Sequence, residues 1–179
     1  ELIIIFDINQ DSIDASFLNE VKKLKVFAKN KNSFSFKNFN TKKSLSGPGL
    51  ARNIGIDNST NEYIHFCDDD DYLYPENYKF IEHLKCKEDV ILMGFSDSSK
   101  IMDNKILFED IKLFSRKKQN DFFNLIENNN FSPIQSQQFL FRKDFLKNNN
   151  IYFPITHLIE DIIFNLISLY SANDFILIN

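Results

Sequence analysis

Residues Asp68, Asp69, Asp70 and Asp71 place four carboxylates in succession, directly after Cys67. Like charges this close raise one another's pKa unless a cation or hydrogen-bond donors offset them. In an extended segment residues i and i+2 share a face, so Asp68 and Asp70 point into the same crevice. Paired hard oxygen donors with open positions suit Mg²⁺ or Mn²⁺ bridging to a diphosphate. A solvated acidic turn accounts for the same residues, and spacing alone does not choose between the two. An EF-hand loop is excluded, because the glycine and glutamate such a loop needs at its sixth and twelfth positions are missing. A second acidic pair, Glu160-Asp161, opens an apolar stretch. By position alone it reads as the ordinary acidic first turn that a helix dipole favours.

These residues need elements to hold them. Leu2–Phe6 is a continuous β-branched and apolar run, the pattern of a strand buried on both faces. Asp11–Leu24 has helical spacing, and Val26–Ala28 reads as a short strand. Lys29–Ser46 is polar and basic with interleaved Phe34, Phe36 and Phe39, and its alternation allows an extra strand or a flap. Pro48 suits the first turn of a helix over Pro48–Ser59, on which Leu50, Ile54 and Asp57 follow. Glu62–Phe66 is a strand that runs straight into the aspartates, and Pro75–Leu84 is a helix. Val90–Phe95 is a buried strand, Ile101–Phe108 a hairpin and Asn120–Asn128 a helix, with Ser96–Lys105 and Phe114–Gln119 in loops. Gln138–Arg142 is strand-like and Asp144–Lys147 a helical turn. Ile159–Tyr170 is an amphipathic helix anchored by Ile162, Ile163, Leu166 and Ile167, and Phe175–Ile178 is a last strand. Strands alternating with helices give an α/β fold with a mainly parallel sheet. Ligands in such sheets bind at the carboxyl ends of strands, where the aspartates stand.

The 179 residues carry 43% apolar and 26% charged residues, ordinary globular usage. A net charge of −4 argues against nucleic acid as a partner. Two cysteines are too few for a disulfide scaffold or a zinc ribbon. No apolar run reaches the roughly 18–20 residues that span a bilayer. The abundance of Asn, Lys, Ile and Phe matches AT-rich coding and carries no function.

Three segments together resemble the family 2 glycosyltransferases of GT-A fold. They are Gly49-Leu50-Ala51-Arg52-Asn53-Ile54-Gly55, then Asn61-Glu62-Tyr63-Ile64-His65-Phe66-Cys67-Asp68-Asp69-Asp70-Asp71 with Pro75, and Glu160-Asp161-Ile162-Ile163-Phe164. Phe141–Leu146 and Asn150–Phe153 are similar to the stretch that precedes the last of these. The resemblance implies a Rossmann-like nucleotide-diphospho-sugar transferase fold, an α/β sheet flanked by helices. It also implies inverting transfer from a nucleotide diphosphate sugar, UDP-linked, to a saccharide or lipid-linked acceptor, as in bacterial surface polysaccharide synthesis. Residue by residue, it assigns Asp161 as catalytic base, Asp70 and Asp68 to Mn²⁺ or Mg²⁺, and Asp7, Arg52, Asp68 and Asp71 to the donor nucleotide. Glu160 and His157, four residues before Asp161, fall to the acceptor side or the pocket. An ion-pair role for Arg52 is compatible with this. His65 reads as packing, His83 as a helix-surface residue, and Cys67, where the family has Leu, as a small buried hydrophobe.

Two departures stand out. Glu1–Asp7 resembles the family's second strand, of whose acidic end only Asp7 survives. Lys29–Ser46 is then an insertion, and the family's first strand is missing from the chain. The expectation is one catalytic domain over residues 1–179, cut at its N-terminus, with a gap beside Leu2–Phe6 where that strand belongs. The expected setting is cytoplasmic, with peripheral contact to the inner membrane face through the basic, Phe-bearing loop. Two rivals are a nucleotidyltransferase, against which Glu160-Asp161-Ile162-Ile163-Phe164 argues, and a non-catalytic sugar-nucleotide-binding domain.

Overall fold

A computed structural model of the chain describes residues 1–7, 15–16, 19, 36–41, 47–71, 73, 78, 87–93, 111–115, 135–156 and 158–178. These fall into two compact units, residues 1–61 with 153–160, and residues 62–152 with 161–179.

In the first unit, β1 (Leu2–Phe6) pairs in parallel with β2 (Phe36–Asn40), Leu2 opposite Phe36 and Phe6 opposite Asn40. A parallel pair needs a crossover of about a dozen residues or more, and residues 8–35 supply that length. Part of Lys29–Ser46 is therefore the parallel neighbour of β1 rather than a flap. On its other edge β1 has no strand partner among the described residues. Thr41 donates its N–H to the Phe6 carbonyl at 3.0 Å and its hydroxyl to Asp7 Oδ1 at 2.7 Å, so the two strand ends are tied together.

Helix α1 (Pro48–Asn58) follows. Gly47 precedes it at φ 78°, a left-handed conformation that favours glycine, and Pro48 takes the first turn, where a missing N–H costs nothing. At its far end Asn58 Nδ2 caps the Ile54 carbonyl at 2.8 Å, and the Ser59 hydroxyl donates to the Ile56 carbonyl at 2.9 Å. Its buried residues are Gly49, Arg52 and Ile56.

The second unit holds a five-stranded sheet in the order β3-β6-β4-β7-β5. These strands are β3 (Tyr63–His65), β4 (Val90–Met93), β5 (Ile111–Ser115), β6 (Phe139–Arg142) and β7 (Asp174–Ile178). β4 and β7 run parallel, while β3–β6, β4–β6 and β5–β7 are antiparallel. The fold is α/β as expected, but against the expected mainly parallel sheet only β1–β2 and β4–β7 run parallel among the described strand pairs. β5 overlaps the expected loop at Phe114–Gln119: Phe114 is a strand residue opposite Phe175. Alternation is weak in Ile111–Ser115, so only its pairing with β7 reveals it. Of the helix expected over Asp11–Leu24, residues 15, 16 and 19 are described and helical. Val26–Ala28, the Ile101–Phe108 hairpin, and the Asn120–Asn128 helix lie outside the described residues, as does all but Tyr78 of the Pro75–Leu84 helix.

The core sits between this sheet and α3 (Glu160–Ser171). Phe139, Phe141, Phe164, Phe175 and Leu169 are fully buried there. Burying each contributes about 1.5–3 kcal/mol relative to exposure. Residues 164, 165, 168 and 169 form the inward face of α3, whereas Leu166 and Ile167 are 38% and 45% exposed. This corrects Leu166 and Ile167 as expected anchors, while Ile162 and Ile163 are half-buried. The helix is apolar on most sides, so periodicity could not choose a face, and Asn165 and Ser168 take core positions expected to be apolar.

Helix α2 (Lys143–Asn148) ends in a Schellman turn. Asn150, at φ 52°, donates to the Lys147 carbonyl at 3.2 Å, and Ile151 donates to Leu146 at 2.9 Å. Leu146 and Ile151 are both buried. Among the described residues no helix is long and apolar enough to cross a membrane.

Candidate functional site

β3 delivers the aspartates. Its Ile64 and the following Phe66 are buried, and the chain surfaces at Cys67. The Asp71 N–H donates to the Asp68 carbonyl at 3.2 Å, which turns the run back on itself. One carboxylate oxygen from each of Asp68, Asp70 and Asp71 consequently lies within 4.8 Å of the others, while Asp69 stands outside this group. At such separation each pair of charges repels by about 1 kcal/mol even at the dielectric of water. An all-oxygen, anionic donor set with two exposed members fits a hard divalent cation, whose remaining positions go to water or phosphate oxygens. Mg²⁺ and Mn²⁺ both meet that description.

A chain of hydrogen bonds runs from Asp68 back into the unit. Gln137 Nε2 donates to Asp68 Oδ2. His65 Nε2 lies 2.8 Å from the Gln137 carbonyl, and His65 Nδ1 meets the Tyr78 hydroxyl. A carbonyl can only accept, so Nε2 carries the proton, and Nδ1 accepts from Tyr78. Burial pushes the His65 pKa down, against the Gln137 carbonyl and Asp71, which favour the charged ring. Burial, with the Cys67 sulfur nearby, pushes Tyr78 up to about 12, so its hydroxyl keeps its proton. His65 is thus a hydrogen-bonded packing residue, as its spacing suggests. Cys67 is corrected: it is exposed, because the chain has left the sheet by that point. Partial burial and the neighbouring Asp71, Asp68 and Asp70 push its thiol pKa up.

Asp161 is the second residue of α3 and is half-buried. One turn on, Phe164 packs edge-on to Phe66 at 5.9 Å and to Phe141 at 5.0 Å between ring centroids. Phe66 lies two residues before Asp68, and Phe164 three after Asp161. One aromatic contact therefore ties the strand end that bears the aspartates to the helix start that bears Asp161.

Arg52, Glu160 and Asp7 belong to the first unit. Arg52 is buried, with Nη1 3.4 Å from Glu160 Oε1 and its guanidinium 5.2 Å from the Phe153 ring centroid. The ion-pair role is the one seen here. Asn53 brackets the Phe153 backbone, donating to its carbonyl at 2.9 Å and accepting from its N–H at 2.8 Å. Gly49 completes this face of α1: a Cβ there would stand 2.5 Å from the Pro154 carbonyl oxygen. Ile159 lies at φ 64°, where a β-branched residue is strained by about 1–3 kcal/mol, directly before Glu160. His157 lies outside the described residues. The residues that sequence reasoning missed are Gln137, Tyr78 and the bracket role of Asn53. A Gln-Gln pair ahead of a buried strand belongs to no motif, so nothing in the chain marked Gln137.

The architecture matches solved GT-A-like structures. The chain superimposes on S. aureus TarS residues 1–349 with a TM-score of 0.67 at 22% identity, covering 99% of this chain and 48% of that one. It superimposes on the same TarS fragment in complex with UDP-GlcNAc with a TM-score of 0.68 at 23% identity, covering 99% and 46%. The chain thus spans about half the length of those structures. Residues 4–156 match the family Glycosyl transferase family 2, and the chain belongs to that family. No curated protein matches it in sequence.

Proposed function

We propose that this chain transfers a sugar from a nucleotide diphosphate donor to an acceptor hydroxyl with inversion. The observation that carries this is the convergence of Asp68, Asp70 and Asp71 at a strand end, in a family 2 chain whose Asp161 is tied to that same strand end. The TarS structure solved with UDP-GlcNAc supports a UDP-linked donor. Asp70 and Asp68 would hold Mn²⁺ or Mg²⁺, which when bound supplies positive charge opposite the leaving diphosphate. Asp7 and Asp71 are assigned to the nucleotide. Arg52 contributes through Glu160, by fixing the segment that leads into Asp161. Asp161 accepts the acceptor's hydroxyl proton as the oxygen bonds to the anomeric carbon, from the face opposite the departing diphosphate. The transition state has oxocarbenium character, as in glycoside hydrolysis. The acceptor is assigned as a saccharide or lipid-linked hydroxyl, and the setting as the cytoplasmic face of a membrane.

Purified protein with Mn²⁺ and a panel of nucleotide sugars should release nucleoside diphosphate. Asp161→Asn should abolish release and leave nucleotide binding intact. Asp70→Ala should remove Mn²⁺-dependent nucleotide binding. Equal turnover in Asp161→Asn would sink the base assignment, and unchanged binding in Asp70→Ala would reduce the cluster to a turn.

A further inference from the structure

We infer that Gln137 is a positioning residue for the acidic cluster, holding the Asp68 carboxylate in the orientation that lets it share a cation with Asp70 and Asp71. The inference rests on the reading of that cluster as a divalent-cation site. Gln137 lies on a short 3₁₀ turn (Ser136–Gln138) that runs into β6, the strand paired with both β3 and β4. Its backbone carbonyl is held by His65, and His65 is held by Tyr78. The amide therefore projects from an anchored backbone, and its Nε2 donates to Asp68 Oδ2. The opposite amide orientation would set two oxygens against each other, so the donor must face the carboxylate.

The other half of the amide makes the functional argument. Among the described residues Gln137 Oε1 is buried and has no hydrogen-bond partner. An unsatisfied buried acceptor costs about 1–3 kcal/mol. That cost offsets much of the roughly 1.5–3 kcal/mol that the charge-assisted bond to Asp68 contributes, so stability alone gives little reason for the amide. It is explained by Asp68. A carboxylate facing two like charges within 4.8 Å turns away from them unless something restrains it. The Gln137 donor on Oδ2 restrains it.

The test measures binding of Mn²⁺, alone and with UDP, by the electron paramagnetic resonance signal of the free ion, alongside thermal unfolding. The proteins compared are the unsubstituted chain, Gln137→Met, Gln137→Ala and Asp70→Ala. Removing a group that orients a metal ligand typically weakens metal binding by about 10–100-fold, and that loss is expected for both Gln137 variants. The melting temperature of Gln137→Met should change little, because the orphan oxygen goes together with the bond to Asp68. If Gln137→Met and Gln137→Ala bind Mn²⁺ as the unsubstituted chain does while Asp70→Ala does not, the positioning role is overturned and the cation site stands. A fall in melting temperature in both variants that tracks the loss of Mn²⁺ would assign Gln137 to the fold and overturn it too. No Mn²⁺ binding by the unsubstituted chain, with or without UDP, overturns both readings.

Discussion

The two glycines of α1 should respond to alanine with opposite signs. Gly49 and Gly55 lie in the same helix, so the backbone benefit of a methyl group applies to both. In a helix interior that benefit is about 0.5–1 kcal/mol, and it is smaller in the first turn, where Gly49 sits after Pro48. Their surroundings differ. A Cβ at Gly55 meets nothing within 4 Å. A Cβ at Gly49 meets the Pro154 carbonyl oxygen at 2.5 Å and Phe153 Cβ at 3.3 Å. Backbone cannot swing aside as a flexible side chain can, and Asn53 pins that stretch through both polar atoms of Phe153. Overpacking of this kind costs about 1–3 kcal/mol, more than the first-turn benefit returns. For a chain of this size 1 kcal/mol shifts the melting temperature by about 2–4 °C. Gly49→Ala should therefore melt about 2–8 °C lower, and Gly55→Ala about 1–4 °C higher. Thermal unfolding followed by circular dichroism, repeated in urea at fixed temperature, reads both. A Gly49→Ala variant as stable as the unsubstituted chain would refute the close approach of α1 to Pro154. Equal shifts of the same sign would reduce both glycines to propensity.

Two further perturbations follow from charges. Arg52→Met should destabilise the chain by on the order of 3 kcal/mol, because it strands Glu160 buried without its cation; adding Glu160→Gln should restore most of that in chemical denaturation, and an unrestored double variant would show that Arg52 acts through something other than the pair. At Glu1, burial alone would raise the carboxyl pKa, but Lys37 at 2.7 Å and two hydrogen bonds from Thr60 lower it from 4.5 to about 2. The unfolded chain then binds the extra proton between those values, so this stabilisation is complete above pH 4.5 and is lost as pH falls toward 2; the stability gap between the unsubstituted chain and Glu1→Gln should close over that range, and a gap independent of pH would refute the pairing.

Much of this molecule is legible in the chain because its local signals agree. Pro48 after Gly47 starts α1, the β-branched run makes β1, and an apolar strand ends at the aspartates, each as the side chains dictate. The illegible parts depend on partners distant in sequence. β5 has little pattern of its own and exists by pairing with β7. The face α3 buries is chosen by Phe66 and Phe141, which no periodicity within α3 could reveal. Gln137 meets Asp68 across 69 positions of chain. By type and spacing the aspartates offer either a cation site or a solvated turn, whereas the contact that holds Asp68 is visible only once the turn before β6 is in place.

The same contrast bears on how the Gly49-Leu50-Ala51-Arg52-Asn53 segment is understood. Its polar residues invite assignment to the nucleotide. Yet Gly49, Arg52, Asn53 and Ile56 recur at helical spacing, and three of them have a structural reason for their identity. Gly49 leaves room for the Pro154 carbonyl, Asn53 satisfies both backbone groups of Phe153, and Arg52 neutralises Glu160 while lying on the Phe153 ring. Alanine would clash at the first, aspartate could not donate at the second, and lysine would lose the guanidinium's contact with the Phe153 ring at the third. All three act on one segment, Phe153–Glu160, whose end is strained at Ile159. Strain of that kind persists only where neighbours over-determine it. The segment's next residue is Asp161. On this reading the motif helix fixes the segment Phe153–Glu160 of its own unit, a role compatible with the nucleotide contact that the resemblance implies for Arg52.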